Sequence, residues 1–331
     1  MNRDTVCGAS SYGIRRWRTS AEDSRETGFP SCFTLVTEPA KTGILRTLFF
    51  GFRQSGFSMH KAKCVLAGFT ALVAAAILPA QASAAQCGNT SAGFEAWVEG
   101  FKGEAAGRGI SPSALNKAFA NVRYNKATIR ADRGQKSFKL SLDQFMQKRG
   151  GQTIISRGKK LKAQNASLLK SIESRYGVPA GPLIAIWGME TGFGGFLGKE
   201  HTLSAVSTLA YDCRRSDYFT NQLYAALELV QRGDLSPDAR GAAHGEIGQT
   251  QFLPANVLKF GVDGDGNGHI DMVRSKADAL ASTANFLRGH GWSAGGGYQQ
   301  GEGNFNAIRG WNAASVYQQA IAIIGAEIDG G

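Results

Sequence analysis

Glu190 closes an apolar run, Leu183-Ile184-Ala185-Ile186-Trp187-Gly188-Met189, and Thr191-Gly192-Phe193-Gly194 follows it. On a helix, Ile186 and Trp187 lie four and three residues before it, on its own face. A carboxyl at the C-terminal end of an apolar helix meets desolvation and the negative helix terminus, and both disfavour its charged form. Its pKa is expected to rise, which is what a general acid needs near neutral pH. The adjoining glycines let a bulky substrate approach the backbone. The plain alternative is a carboxylate that reaches solvent where the helix ends.

Three other segments carry chemistry. Gly245-Glu246-Ile247-Gly248-Gln249-Thr250-Gln251-Phe252-Leu253-Pro254 sets glycines beside neutral amides, which suit sugar hydroxyls and acetamido groups and are also ordinary loop material. Asp263, Asp265 and Asn267 alternate, Gly268 follows, then His269 and Asp271. That spacing matches D-x-[DN]-x-[DN]-G of a calcium loop. The twelfth position holds Arg274 rather than Glu, so Asp278, opening the next helix, is expected to supply the missing carboxylate. His269 would give its backbone carbonyl and Asp271 a contact through water; an Asx/Gly turn without an ion is the alternative. Trp311, Asn312 and Tyr317 offer flat rings and an amide to a sugar, or else pack a core at helical spacing.

The elements that must position these residues read as helices. Phe94, Trp97, Val98 and Phe101 recur at helical spacing after Ser91, and Ser111-Pro112 opens a second helix. A long amphipathic helix is predicted over 152–176, an apolar one over 182–191, and others over 203–213, 216–232, 247–260, 276–290 and 313–328. The stretch 121–140 is polar and basic with little periodicity. Strand signals are nearly absent, and the fold class is mainly α with little β structure, in a single domain.

The chain of 331 residues is 43% apolar and 19% charged, with 8 Pro, which excludes collagen, a disulfide miniprotein, a coiled coil and a wholly disordered chain. Its formal charge of +11 raises nucleic acid, membrane or an acidic polymer as partners. Residues 59–84 change that count. Met59-His60-Lys61-Ala62-Lys63 is basic, Cys64 to Leu78 is apolar without a charge, and Pro79 to Ala84 is rich in small residues. This is the layout of a secretory signal peptide cleaved after Ala84. Its apolar run is short of the ~20 residues that span a bilayer, so export is favoured over a transmembrane anchor. Residues 1–58 then read as an over-extended, disordered N-terminus, and 85–331 as the working domain. That domain carries 27 basic and 21 acidic residues, net +6, with no basic stripe interleaved with aromatics, so nucleic acid is a poor partner. Cys87 and Cys213 alone remain; in an exported chain they suggest a disulfide, with two free thiols as the alternative.

Taken in order, these segments resemble the lytic murein transglycosylases of the B type, glycoside hydrolase family 103. The resemblance spans roughly 90–328 and rests on Gly188-Met189-Glu190-Thr191 with Gly194, Gly248 to Pro254, the aspartate loop, Ala284-Asn285-Phe286 with His290-Gly291-Trp292, and Trp311-Asn312 with Tyr317. It implies a lysozyme-like α domain in the periplasm that cleaves the MurNAc–GlcNAc β-1,4 bond of peptidoglycan glycan strands without consuming water. Glu190 matches the single catalytic Glu, first acid and then base, closing a 1,6-anhydro ring with no catalytic cofactor. Gln251, Trp311, Asn312 and Tyr317 fall at substrate-binding positions. The chain departs from the pattern at Trp311 and Phe286, where Tyr can stand, at Ala242, where some members have Ser, and at Glu246, where a small residue is usual. The second carboxylate keeps a hydrolytic muramidase as an alternative, beside a non-catalytic murein-binding protein on the same fold.

Overall fold

A computed structural model of the chain describes residues 86–134 and 140–330. The expected leader, 59–84, and the segment before it lie outside the described residues. The first helices are α1 (Phe94–Gly107), α2 (Pro112–Phe119), α3 (Lys126–Arg133) and α4 (Leu142–Arg149). Next come α5 (Gly151–Gln164), α6 (Ala166–Tyr176) and α7 (Ala180–Thr191). A short strand, β1 (Glu200–His201), leads into α8 (Thr202–Tyr211) and α9 (Ser216–Arg232). After β2 (Arg240–Gly241) follow α10 (Pro254–Phe260), α11 (Lys276–Gly289), α12 (Phe305–Trp311) and α13 (Ser315–Asp329). The two strands pair antiparallel, Glu200 with Gly241 and His201 with Arg240, and form the one sheet among the described residues.

Every residue of α7 is buried, and its two main neighbours are α13 and α5. Gly188 permits the α5 approach: a Cβ there would sit 2.5 Å from Ile154 Cγ2. Gly192, left-handed at φ 60°, ends the helix by bonding back to the Gly188 carbonyl.

Three expected elements differ. The helix predicted over 152–176 is two helices, because Asn165 turns its side-chain amide onto the Leu161 carbonyl at 2.8 Å and leaves helical geometry. Residues 247–253 are not helical; Ile247 and Phe252 exchange backbone hydrogen bonds across a tight turn, and α10 starts only at Pro254. The 121–140 stretch does contain a helix, α3, started by Asn125, whose side chain accepts from the Ala127 and Thr128 amides at 2.9 and 3.1 Å.

Cys87 and Cys213 are joined, with Cα atoms 5.0 Å apart, tying the first described residues to the α8–α9 turn. That turn also carries buried charge. Arg214 and Arg215 both bond the Asp132 carboxylate from α3, and Arg133 meets Asp212 at 2.8 Å. His244 stands between two carboxylates, 3.9 Å from Asp132 and 3.2 Å from Glu246.

Candidate active site

Glu190 lies one residue before the end of α7 and is only 8% exposed. Two donors converge on one of its oxygens: Trp311 Nε1 donates to Oε1 at 3.0 Å, and the Tyr317 hydroxyl donates to Oε1 at 2.7 Å. Oε2 has no hydrogen-bond partner among the described residues. Because Oε1 is already an acceptor twice over, the proton of the neutral acid belongs on Oε2. The carboxyl is thus held at one oxygen and free to act at the other.

Burial pushes the Glu190 carboxyl above the ordinary carboxylate range. The Tyr317 and Trp311 hydrogen bonds and the Arg149 charge oppose that rise, the Glu246 charge adds to it, and burial wins. Burial also pushes the Tyr317 hydroxyl well up, with the Glu190 charge next, so Tyr317 stays a donor. The consequence for stability has a definite sign. The folded state holds the Glu190 proton to higher pH than the unfolded chain does, so that group costs stability as pH rises above the ordinary Glu range. Glu190→Gln is therefore expected to melt higher than the parent, by a margin that grows as pH rises above the ordinary Glu range. Thermal melts of both proteins at rising pH check it; a constant margin would contradict the upward shift.

A tight turn brings the two donors to one carboxylate. Trp311 ends α12 and Tyr317 lies in the first turn of α13. Between them Asn312 is extended, its Oδ1 accepting from the Ala314 amide at 2.9 Å and its carbonyl accepting from Gln318 Nε2 at 2.8 Å. Asn312 Nδ2 is buried without a partner among the described residues. The rings of Trp311 and Tyr317 are 5% and 1% exposed. They are not open platforms for a sugar; their polar tips orient the acid, as buried Trp and Tyr usually require a partner.

The amide segment stands against the same helix end. Thr191 Oγ1 donates to the Gln249 carbonyl at 2.6 Å and accepts from the Gly194 amide at 2.9 Å. Gln251 Nε2 donates to the Gly248 carbonyl at 2.7 Å and the Leu197 carbonyl at 3.3 Å, bracing the loop that follows Glu190. Gln251 and Phe193, at φ 55° and 67°, are the two non-glycine residues with positive φ among the described residues, and both flank this helix end. Backbone held in that sparsely populated region collects at functional sites.

Sequence reasoning did not identify three contributors: Thr191 as the tie to Gln249, Arg149 beside the acid, and His244 as the partner of Glu246. Arg149 gave no signal, because its proximity to Glu190 depends on how α4 packs. Glu246 is 1% exposed; its Oε2 accepts from the His244 backbone amide at 2.9 Å, and its Oε1 stands 3.2 Å from His244 Nδ1.

The acidic loop is separate from these contacts. Three of the expected carboxylate ligands come together: one oxygen each of Asp263, Asp265 and Asp278 lie within 4.8 Å of one another. Asp278 is fully buried and accepts from the amides of Gly264, Asp265 and Asp271 at 2.9, 3.3 and 2.7 Å. Asp263 is held below the usual carboxylate range, foremost by the Gly268 amide. Asn267 Oδ1 caps the His269 amide, Asp271 Oδ1 caps the Val273 and Arg274 amides, and the His269 ring stands 3.4 Å from Asp234. An all-oxygen set with three carboxylates fits a hard cation such as calcium, not a soft one.

The site is a buried, doubly held acid at a helix end of an α-rich domain. The family model described as the transglycosylase SLT domain matches residues 93–302, and the chain belongs to that family. Membrane-bound lytic murein transglycosylase B of Escherichia coli (strain K12) is 35% identical over 122 residues, which is 36% of this chain. The match spans about a third of that relative, 34% of its length. The crystal structure of SltB3 from Pseudomonas aeruginosa in complex with NAG-NAM-pentapeptide is 30% identical, covers 72% of this chain and 80% of that one, and has a TM-score of 0.67. SltB1 from Pseudomonas aeruginosa shares the fold at 24% identity, covering 70% of this chain and 97% of that one at a TM-score of 0.64.

Proposed function

We propose that the protein is a lytic transglycosylase of the bacterial cell envelope that cleaves the MurNAc–GlcNAc β-1,4 bond of peptidoglycan, exported by the leader at 59–84. The observation that carries this reading is Glu190, buried, shifted upward and held at Oε1 with Oε2 unpartnered. The acid gives its Oε2 proton to the glycosidic oxygen while the MurNAc acetamido group assists at C1. The carboxylate then takes the C6 hydroxyl proton as that oxygen closes a 1,6-anhydro ring. One carboxylate suffices for both steps, where most glycosidases use two. The NAG-NAM-pentapeptide in the SltB3 complex supports a glycan strand as the substrate. Trp311 and Tyr317 hold the acid, Asn312 shapes the turn that brings them together, and Gln251 braces the neighbouring loop.

Digestion of purified sacculi followed by mass spectrometry tests the reading: anhydro-terminated muropeptides are expected. Reducing ends instead would identify a hydrolase with Glu246 as the candidate second carboxylate, and binding without release would identify a non-catalytic murein-binding protein. The near-complete burial of Glu246, at 1% exposure, favours the transglycosylase, because the second carboxylate of a hydrolase must meet a water.

Calcium is proposed as a structural ion at Asp263, Asp265 and Asp278, with Asn267, His269 and Asp271 completing the loop. It would neutralise three close carboxylates and stabilise the folded state by mass action. Removing it with a chelator is expected to lower the melting temperature of the wild type and not of Asp265→Asn. An unchanged wild-type melt would count against the ion.

A further inference from the structure

Arg149 is the last residue of α4, and its side chain crosses from that helix to the acid's surroundings. Its guanidinium lies over two rings, 5.5 Å from the Phe145 centroid and 5.7 Å from the Tyr317 centroid. Nη1 stands 3.5 Å from the carbonyl of Met189, the residue before Glu190. Tyr317, under this cation, is the residue whose hydroxyl is bonded to Glu190 Oε1. A cation this close to a group that must be protonated looks counterproductive in the resting enzyme. The reaction supplies the reason.

We propose that Arg149 is a positioning residue that stabilises Glu190 through the anionic stage between its two proton transfers. The inference rests on the transglycosylase reading. As the C1–O bond breaks, its electron pair leaves on the glycosidic oxygen, which takes the Glu190 proton and leaves a buried carboxylate. Trp311 and Tyr317 are neutral donors; neither offsets a full charge. Arg149 does so across the face of Tyr317, 5.7 Å from its centroid, in a site of low dielectric. When the C6 oxygen bonds to C1, its proton returns to Glu190 and the charge is discharged. The groups acting on Glu190 are Arg149 from α4, Trp311 from α12, Tyr317 from α13 and Glu246 from the loop after β2. Arg149 is the one cation among them, and Glu246 works against it.

The test is the titration of the Glu190 carboxyl, followed by carbon-13 NMR in the labelled full-length domain, in wild type, Arg149→Met and Arg149→Lys. Removing the cation is expected to move the Glu190 titration to higher pH, by a unit or so, and the Lys variant to keep it near the wild-type position. In kinetics on sacculi, Arg149→Met should lose about tenfold in kcat with KM little changed, and its descending basic limb should move to higher pH. A role limited to packing on Tyr317 would lower the melting temperature and leave the titration where it was. An unmoved titration overturns the proposal. The titration is read without turnover, so its outcome stands apart from whether anhydro products are found.

Discussion

Glu190→Gln is expected to stop release of soluble fragments from sacculi while the protein remains folded. The substitution keeps shape and keeps an oxygen for the Trp311 and Tyr317 donors, which now stand 3.0 and 2.7 Å from Oε1. What it removes is the transferable proton. General acid–base groups contribute roughly 10²- to 10⁴-fold each, and here one carboxyl would serve as acid and then as base, so the loss should lie toward the upper end. Binding of sacculi should persist, because the amide changes no contact at the surface of the domain. Release of fragments at an undiminished rate by this variant would place the proton donor elsewhere and sink the mechanism. Melting at or above the wild-type temperature would establish that the loss is chemical.

The largest effect on stability is expected from Asp132→Ala. The Asp132 side chain is 1% exposed and takes Arg214 and Arg215 together, with His244 3.9 Å away. Removing the anion leaves two cations facing each other around a buried vacancy. Breaking a fully buried ionic group costs about 3–5 kcal/mol; because Arg214 is 44% and Arg215 19% exposed, water recovers part of that, and the loss should lie toward the low end, roughly 6–12 °C in melting temperature for a domain of this size. Arg133→Ala deletes a side chain that is 47% exposed and leaves the 3% exposed Asp212 with the Arg214 amide at 3.1 Å, so its loss should be real but smaller than that of Asp132→Ala. Thermal or urea unfolding of both variants measures the difference. Near-equal losses would mean that ion pairing, and not the burial of Asp132, sets the cost. The same cluster reaches the site, since His244 links Asp132 to Glu246, and the loop bearing Glu246 continues into Gln249 and Gln251.

Much of the helical architecture could be read from periodicity and caps. The run 182–191 reads as an apolar helix, and it is one, α7. Its end at Gly192 follows from a residue type that accepts left-handed backbone. The even pair of cysteines suggested a bond that the fold makes. Misjudged elements share a cause. At Asn165 and across 247–253, side-chain amides and glycines compete with the helix for backbone groups, and periodicity does not register that competition. The upward shift of Glu190 was legible for the same reason as its helix: an apolar neighbourhood along the chain implies desolvation.

By itself, then, the amino-acid order determined an α-rich domain, the helix that carries Glu190, the glycines at its end and the spacing of the aspartate loop. These are local properties, set by residues within a few turns of one another. Tertiary structure alone decided which oxygen of Glu190 is held, because Trp311 and Tyr317 arrive from 121 and 127 residues away. It also decided that their rings face inward rather than toward a sugar, that Glu246 is occupied by His244, and that Arg149 approaches the acid. Each of these depends on the directions in which packed helices bring side chains together, and a one-dimensional pattern holds no information about those directions until burial has chosen them.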